Sequence, residues 1–188
     1  MSIDRASAIE AARQLMSAVG LDPADPVLVD TPRRVADSWI ELFAGIDRDP
    51  VAALGGGEPI EGAYPGPVAV TGVPFSSICE HHLLPFNGTV DLVYLPDRTL
   101  AGIGDVDAMV RVLAARPQMQ ERLTDAIAHT TERAIAPLGV LVRVQAQHAC
   151  MWARGERTVG ATVRTLAGSG RYAEGPDRVE ALSLMGSR

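Results

Sequence analysis

The chain has 188 residues and a mass of 19.9 kDa, room for one domain with a helical appendage, and its 47% hydrophobic and 21% charged content is that of a globular protein. A net charge of −6 argues against a general nucleic-acid surface, because nothing neutralises a run of phosphates. All seventeen basic residues are arginine, which excludes Schiff-base catalysis, lysine nucleophiles and the phosphate-binding lysine of a P-loop.

In chain order, residues 5–19 place Ile9, Ala12, Leu15, Met16 and Val19 at helical spacing and predict an amphipathic helix. Asp22-Pro23 and Asp25-Pro26 predict a loop. Thr31-Pro32, a capping side chain followed by proline in the first turn, opens a second helix through Val35, Trp39, Ile40 and Phe43 to Gly45. Residues 1–45 are thus an N-terminal helical pair, and the Gly- and Pro-rich residues 46–67 read as a linker to a domain over 68–188. That domain reads β–β–α–α–β–β. Strands are expected over 68–78 and 88–95, helices over 105–115 and 118–136, and strands over 139–152 and 158–166. Residues 1–20 lack the apolar core of a signal peptide, and no later stretch reaches the roughly 20 apolar residues that span a bilayer. A cytoplasmic protein without a membrane partner is expected.

Two cysteines cannot build a disulfide framework, which leaves them for metal or catalysis. Five of the six Cys and His residues fall in two short motifs, Cys79-Glu80-His81-His82 and His148-Ala149-Cys150. The sixth, His129, lies in a predicted helix and reads as a surface residue. Cys79 and His82 are three apart, so one turn can present both to one ion. Along the predicted strand, Val142, Val144, Ala146, His148 and Cys150 share a face, with His148 and Cys150 about 7 Å apart. Two cysteines and one histidine suit Zn²⁺, and three ligands without an obvious fourth describe an open, catalytic type of site. A Cys-x-x-His pair alone is weak evidence for metal, since cysteine is often a small buried hydrophobe. The second motif is what favours metal.

At these residues the chain resembles the GTP cyclohydrolase I family. The matching segments are Thr31-Pro32-Arg33-Arg34-Val35-Ala36, the run from Ser77 through Cys79-Glu80-His81-His82 to Gly88, and Arg116-Pro117-Gln118-Met119-Gln120-Glu121-Arg122-Leu123-Thr124. His148-Ala149-Cys150, Arg154-Gly155 and Arg178-Val179-Glu180-Ala181-Leu182 complete them. The resemblance implies an α+β tunnelling fold, in which antiparallel sheets of several subunits close a barrel with helices outside, and a homodecamer of two five-membered rings. By position it implies zinc on Cys79, His82 and Cys150, proton transfer by His81 and His148, and purine recognition by Gln120 and Glu121. The implied reaction opens the imidazole ring of GTP with water, giving formate and 7,8-dihydroneopterin triphosphate. A carboxylate such as Glu121 suits the N1–H and amino group of guanine, although an exposed helix salt bridge of Glu121 with Arg122 or a neighbouring turn is the plainer alternative.

One segment departs from the family. Where it carries Leu-Ser-Lys and then Arg three residues on, this chain has Ile103-Gly104-Asp105 and Ala108. Those basic residues hold the triphosphate in the family. Asp105 and Asp107 read as helix caps here, and a capping carboxylate repels phosphate. Arg34 and Arg154, with Arg157, remain as anion contacts. Three readings follow: an ordinary GTP cyclohydrolase, a family enzyme acting on a free base, nucleoside or monophosphate, and a non-catalytic regulatory or assembly subunit.

Overall fold

The structure is a computed structural model and describes residues 3–62 and 66–186. Asp4 starts α1 (Arg5–Ala18), its carboxylate accepting from the Ser7 N–H at 3.1 Å and the Ser7 hydroxyl at 2.7 Å. The second helix, α2 (Thr31–Leu42), is tied to α1 by Arg5, whose Nε donates to Asp37 at 2.7 Å. The two share an apolar cleft that includes Leu15, Trp39 and Phe43. Thr31 was expected to cap α2 but is its first residue; Asp30 stands at the cap position. Pro32 has no N–H to offer a capping oxygen, and the Asp30 carboxylate pairs with Arg33 and Arg34 instead.

The stretch expected as a linker is partly structured. Asp49 accepts from the Val51 N–H at 2.9 Å and caps α3 (Pro50–Leu54), whose Leu54 is fully buried in the main core. Further on, β1 (Glu58–Pro59) pairs antiparallel with β4 (Thr99–Leu100). Residues 63–65 of that stretch lie outside the described residues.

The main sheet is built from β2 (Val68–Cys79), β3 (Pro85–Leu95), β5 (Pro117–Gln118), β6 (Gly139–His148) and β7 (Val163–Gly170), in the order β5-β2-β3-β6-β7. All neighbours are antiparallel except β5, which lies parallel to the end of β2. Strand alternation then sorts the core. Val90, Leu92 and Tyr94 of β3 and Val140, Val142, Val144 and Ala146 of β6 bury one face with α4 (Ile103–Ala114) and α5 (Gln120–Ile135). On the other face Val93 and Leu141 pack with Tyr172, Ala181 and Met185, the last two from α7 (Gly175–Leu184) and the residue after it. Asp91 and Arg143 are register partners on that second face and form a nearly buried ion pair, 2.6 Å from Nη2 to Oδ2. Asp91 also accepts from the N–H of Gly72, at the bulge of β2, where φ is +74°. Gly88 has a different reason: a Cβ there would run into the Gln145 carbonyl of β6.

Several boundaries differ from those expected. Pro117 and Gln118 pair with β2, so α5 begins two residues later, at Gln120. Gly102 occupies the cap position of α4. Asp105 sits in its first turn and Asp107 pairs with Arg111, so neither is a cap. Residues 153–162 form turns, with Gly155 and Gly160 at positive φ, and β7 starts only at Val163. Neither α3 nor α7 was anticipated. Among the described residues no helix is long and apolar enough to cross a membrane.

Candidate functional site

The site forms where β2 and β6 end and α5 begins. Past Cys79 the chain makes one tight turn: the Leu83 N–H donates to the Cys79 carbonyl at 2.9 Å, and the Cys79 N–H to Leu84 O at 2.9 Å. Leu83, at φ +52°, closes this turn and brings His82 round to the side of Cys79. Cys150 arrives differently from the expectation. It does not share a strand face with His148, because β6 stops there and Ala149–Trp152 coil into the short helix α6. That coil carries Cys150 toward Cys79, and the ligand atoms of Cys79, His82 and Cys150 all lie within 4.8 Å of one another. Around a tetrahedral Zn²⁺ with bonds of about 2.3 Å to sulfur and 2.0–2.1 Å to nitrogen, such atoms sit under about 4 Å apart. The donor set therefore fits zinc with a small inward adjustment. Burial pushes the Cys150 thiol up from its ordinary value, the neighbouring Cys79 adds to this, and Arg154 opposes it.

These residues line a cavity of about 260 Å³, together with Gln120, Glu121 and His148. The β3–β6 register sets Phe86 opposite His148, and the two rings stack with centroids 4.6 Å apart and planes 3° from parallel. His148 Nε2 lies 2.8 Å from Gln120 Oε1. Burial lowers the His148 pKa, and the Glu121 carboxylate pulls it back up.

Among the other residues singled out from sequence, Glu121 lines the cavity from the first turn of α5. The pair it was weighed against does not form: Arg122 instead donates to Glu80 at 2.7 Å. His81 is exposed at the cavity wall, 3.9 Å from Glu80. Arg154 is exposed but close enough to act on Cys150. Arg34 is on α2, held to Asp30 at 3.4 Å, and is not in the cavity wall; nor are Asp105 and Ala108. His129 is a surface residue, 3.7 Å from Glu132.

Two residues escaped the sequence reading. Phe86 was quoted within a motif, but its stacking on His148 follows from strand register. Gln118 also lines the cavity, with its Nε2 donating to Leu113 O at 3.0 Å and its buried Oε1 without a partner among the described residues. Its position beside Cys79 comes from the β2–β5 pairing.

The chain is similar to known proteins along most of its length. Proteins called GTP cyclohydrolase 1 match along nearly their whole length. That of Leifsonia xyli subsp. xyli is 46% identical over 183 residues, covering 97% of this chain and 96% of the relative. That of Streptococcus pyogenes serotype M49 is 40% identical over 187 residues, covering 98% and 95%. That of Mycobacteroides abscessus is 40% identical over 185 residues, covering 97% and 90%. With the GTP cyclohydrolase I family model matching residues 8–186, the chain belongs to the GTP cyclohydrolase I family.

Proposed function

We propose that the protein is a zinc-dependent cyclohydrolase that opens the imidazole ring of a purine at C8, with GTP and water giving 7,8-dihydroneopterin triphosphate and formate. The observation that carries this reading is the convergence of Cys79, His82 and Cys150 beside His148 and Glu121 in one cavity. The three would hold Zn²⁺, which when bound supplies a water that ionises near pH 7. Attack at C8 places negative charge on the purine, and His148 delivers a proton to a ring nitrogen as that charge grows. His81, exposed at the cavity mouth, relays the second proton. Glu121 accepts from the N1–H and amino group of guanine; Arg122 is engaged with Glu80, which leaves the Glu121 carboxylate available for that contact. Arg154 faces the anionic end of the substrate.

The working unit is a homodecamer in the cytoplasm, binding neither nucleic acid nor membrane. The open edge at β7, with Leu166 exposed on it, supports closure of the sheet against further copies.

A second reading is favoured by one observation. Asp105, in the first turn of α4, has no cation partner among the described residues, and Ala108 follows one turn later. These positions lie outside this cavity wall but match those that hold the triphosphate in the family, where an anion would weaken its binding, so the substrate would be a free base, nucleoside or monophosphate. Zinc-loaded protein incubated separately with GTP, GMP, guanosine and guanine, with formate and pterin fluorescence as readouts, tests both. Efficient turnover of GTP with inert guanosine and guanine leaves the first reading standing. Turnover of the smaller purines at least equal to that of GTP favours the second. Absence of formate from all of them refutes both and leaves a non-catalytic subunit.

A further inference from the structure

The resemblance gives Gln120 the task of reading the purine base, yet the side chain is engaged inside the protein. It is only 2% exposed. Its Nε2 lies 3.1 Å from each of three acceptors: Val144 O, Val163 O and Thr165 Oγ1. Two of these are backbone carbonyls with no hydrogen to give, so that end of the amide must be the nitrogen. The hydroxyls agree. Thr124 donates to Gln120 O at 2.7 Å, so in the 2.6 Å contact between Thr124 and Thr165 the hydrogen comes from Thr165. The Thr165 oxygen is then free to accept from Gln120. Turning the amide over would set Oε1 against two carbonyl oxygens in a buried place, with no hydrogen between them.

The orientation of Gln120 therefore decides that of its neighbour. Oε1 is an acceptor only, and it lies 2.8 Å from His148 Nε2. That nitrogen must carry a hydrogen. Nδ1 has no hydrogen-bond partner among the described residues, and the stack on Phe86 restrains the ring plane.

We propose that Gln120 is a positioning residue that holds His148 as the Nε2–H tautomer, leaving Nδ1 as the atom that gives up and takes back the catalytic proton. This rests on the proton-transfer role of His148 proposed above. In the step itself the bare Nδ1 first takes the proton given up by the attacking water, making the imidazolium; that Nδ1–H bond then breaks, the proton passes to the purine ring nitrogen, and the bonding pair stays on Nδ1. Base recognition at this end of α5 then falls to Glu121 alone.

The test has two parts. In zinc-loaded full-length protein with ¹⁵N-labelled histidine, observed at a pH where His148 is neutral and assigned by loss of signal in His148→Ala, the expected result is a protonated Nε2 and an unprotonated Nδ1. A protonated Nδ1 overturns the proposal. In Gln120→Met, zinc content is expected to stay at the wild-type level and kcat to fall by about 10–100-fold, the usual effect of removing an orienting partner. KM for the purine that wild type turns over is expected to stay within about threefold, since both ends of the amide are engaged inside the protein. A raised KM at unchanged kcat means that Gln120 reads the base, and the proposal fails. If Gln120→Met does not fold, the wild-type spectrum decides alone. Inactivity of wild type on every purine refutes the functional reading, while the spectrum still reports the tautomer.

Discussion

Asp91→Ala should put a large cost on the fold, and the structure shows why. The Asp91 carboxylate accepts from Arg143 Nε at 2.8 Å and Nη2 at 2.6 Å, and from the Gly72 N–H at 2.7 Å. The side chains of Arg143 and Asp91 are only 12% and 10% exposed. Arg143 also donates to the carbonyls of Met185 and Gly186, so the pair ties the chain end to the sheet. Removing the carboxylate leaves a nearly buried guanidinium with carbonyl partners but no counter-charge, and strips Gly72 of its acceptor. Breaking a buried pair from one side costs about 3–5 kcal/mol. At roughly 2–4 °C per kcal/mol for a domain of this size, the melting midpoint should fall by about 6–20 °C. Thermal unfolding at fixed protein and zinc concentration measures this, because oligomerisation and metal both move the midpoint. The double variant Asp91→Leu, Arg143→Met removes both charges and should recover most of the loss. An Asp91→Ala midpoint within about 2 °C of wild type would show that the pair is effectively solvated and that the reasoning is wrong.

Cys150→Ser should lose most of its zinc by metal analysis, because the two remaining donors hold the ion weakly; full retention would remove Cys150 from the ligand set. His148→Ala should keep its zinc and lose ring opening by about 10²–10⁴-fold, whereas loss of metal would make His148 a ligand. Tyr172 is buried, which raises its phenol above the ordinary value, with Glu180 and Asp177 adding to the rise. Its contribution to stability is therefore whole below the unfolded pKa near 10 and is lost as pH rises through the higher folded value. Tyr172→Phe should flatten the alkaline limb of a stability–pH curve, and an unchanged slope would exclude this group as its source.

Much of the site was legible in the sequence, since the chemistry of zinc is written in residue types and short spacings. Cys79 and His82 lie three apart, so a single turn suffices to pair them, and local spacing predicts that without a fold. The β3 and β6 alternation likewise predicts which residues are buried, because a strand has two faces and the apolar residues share one. Cys150 marks the limit. Two-residue spacing on a strand put it beside His148, but β6 ends at His148 and the chain coils, which strand periodicity does not encode. Gln118 and Gln120 are separated by one residue in the same motif, yet one lies in a strand beside Cys79 and the other starts a helix against β6 and β7. Sequence determined which residue types could hold a metal and the α+β pattern, and the family resemblance supplied the proton carriers proposed above. Only tertiary structure decided the stack of Phe86 on His148, the burial of the Asp91–Arg143 pair and the hydrogen bonds that fix the Gln120 amide. Each of these joins residues many positions apart, so strand pairing, which one-dimensional spacing does not encode, had to bring them together.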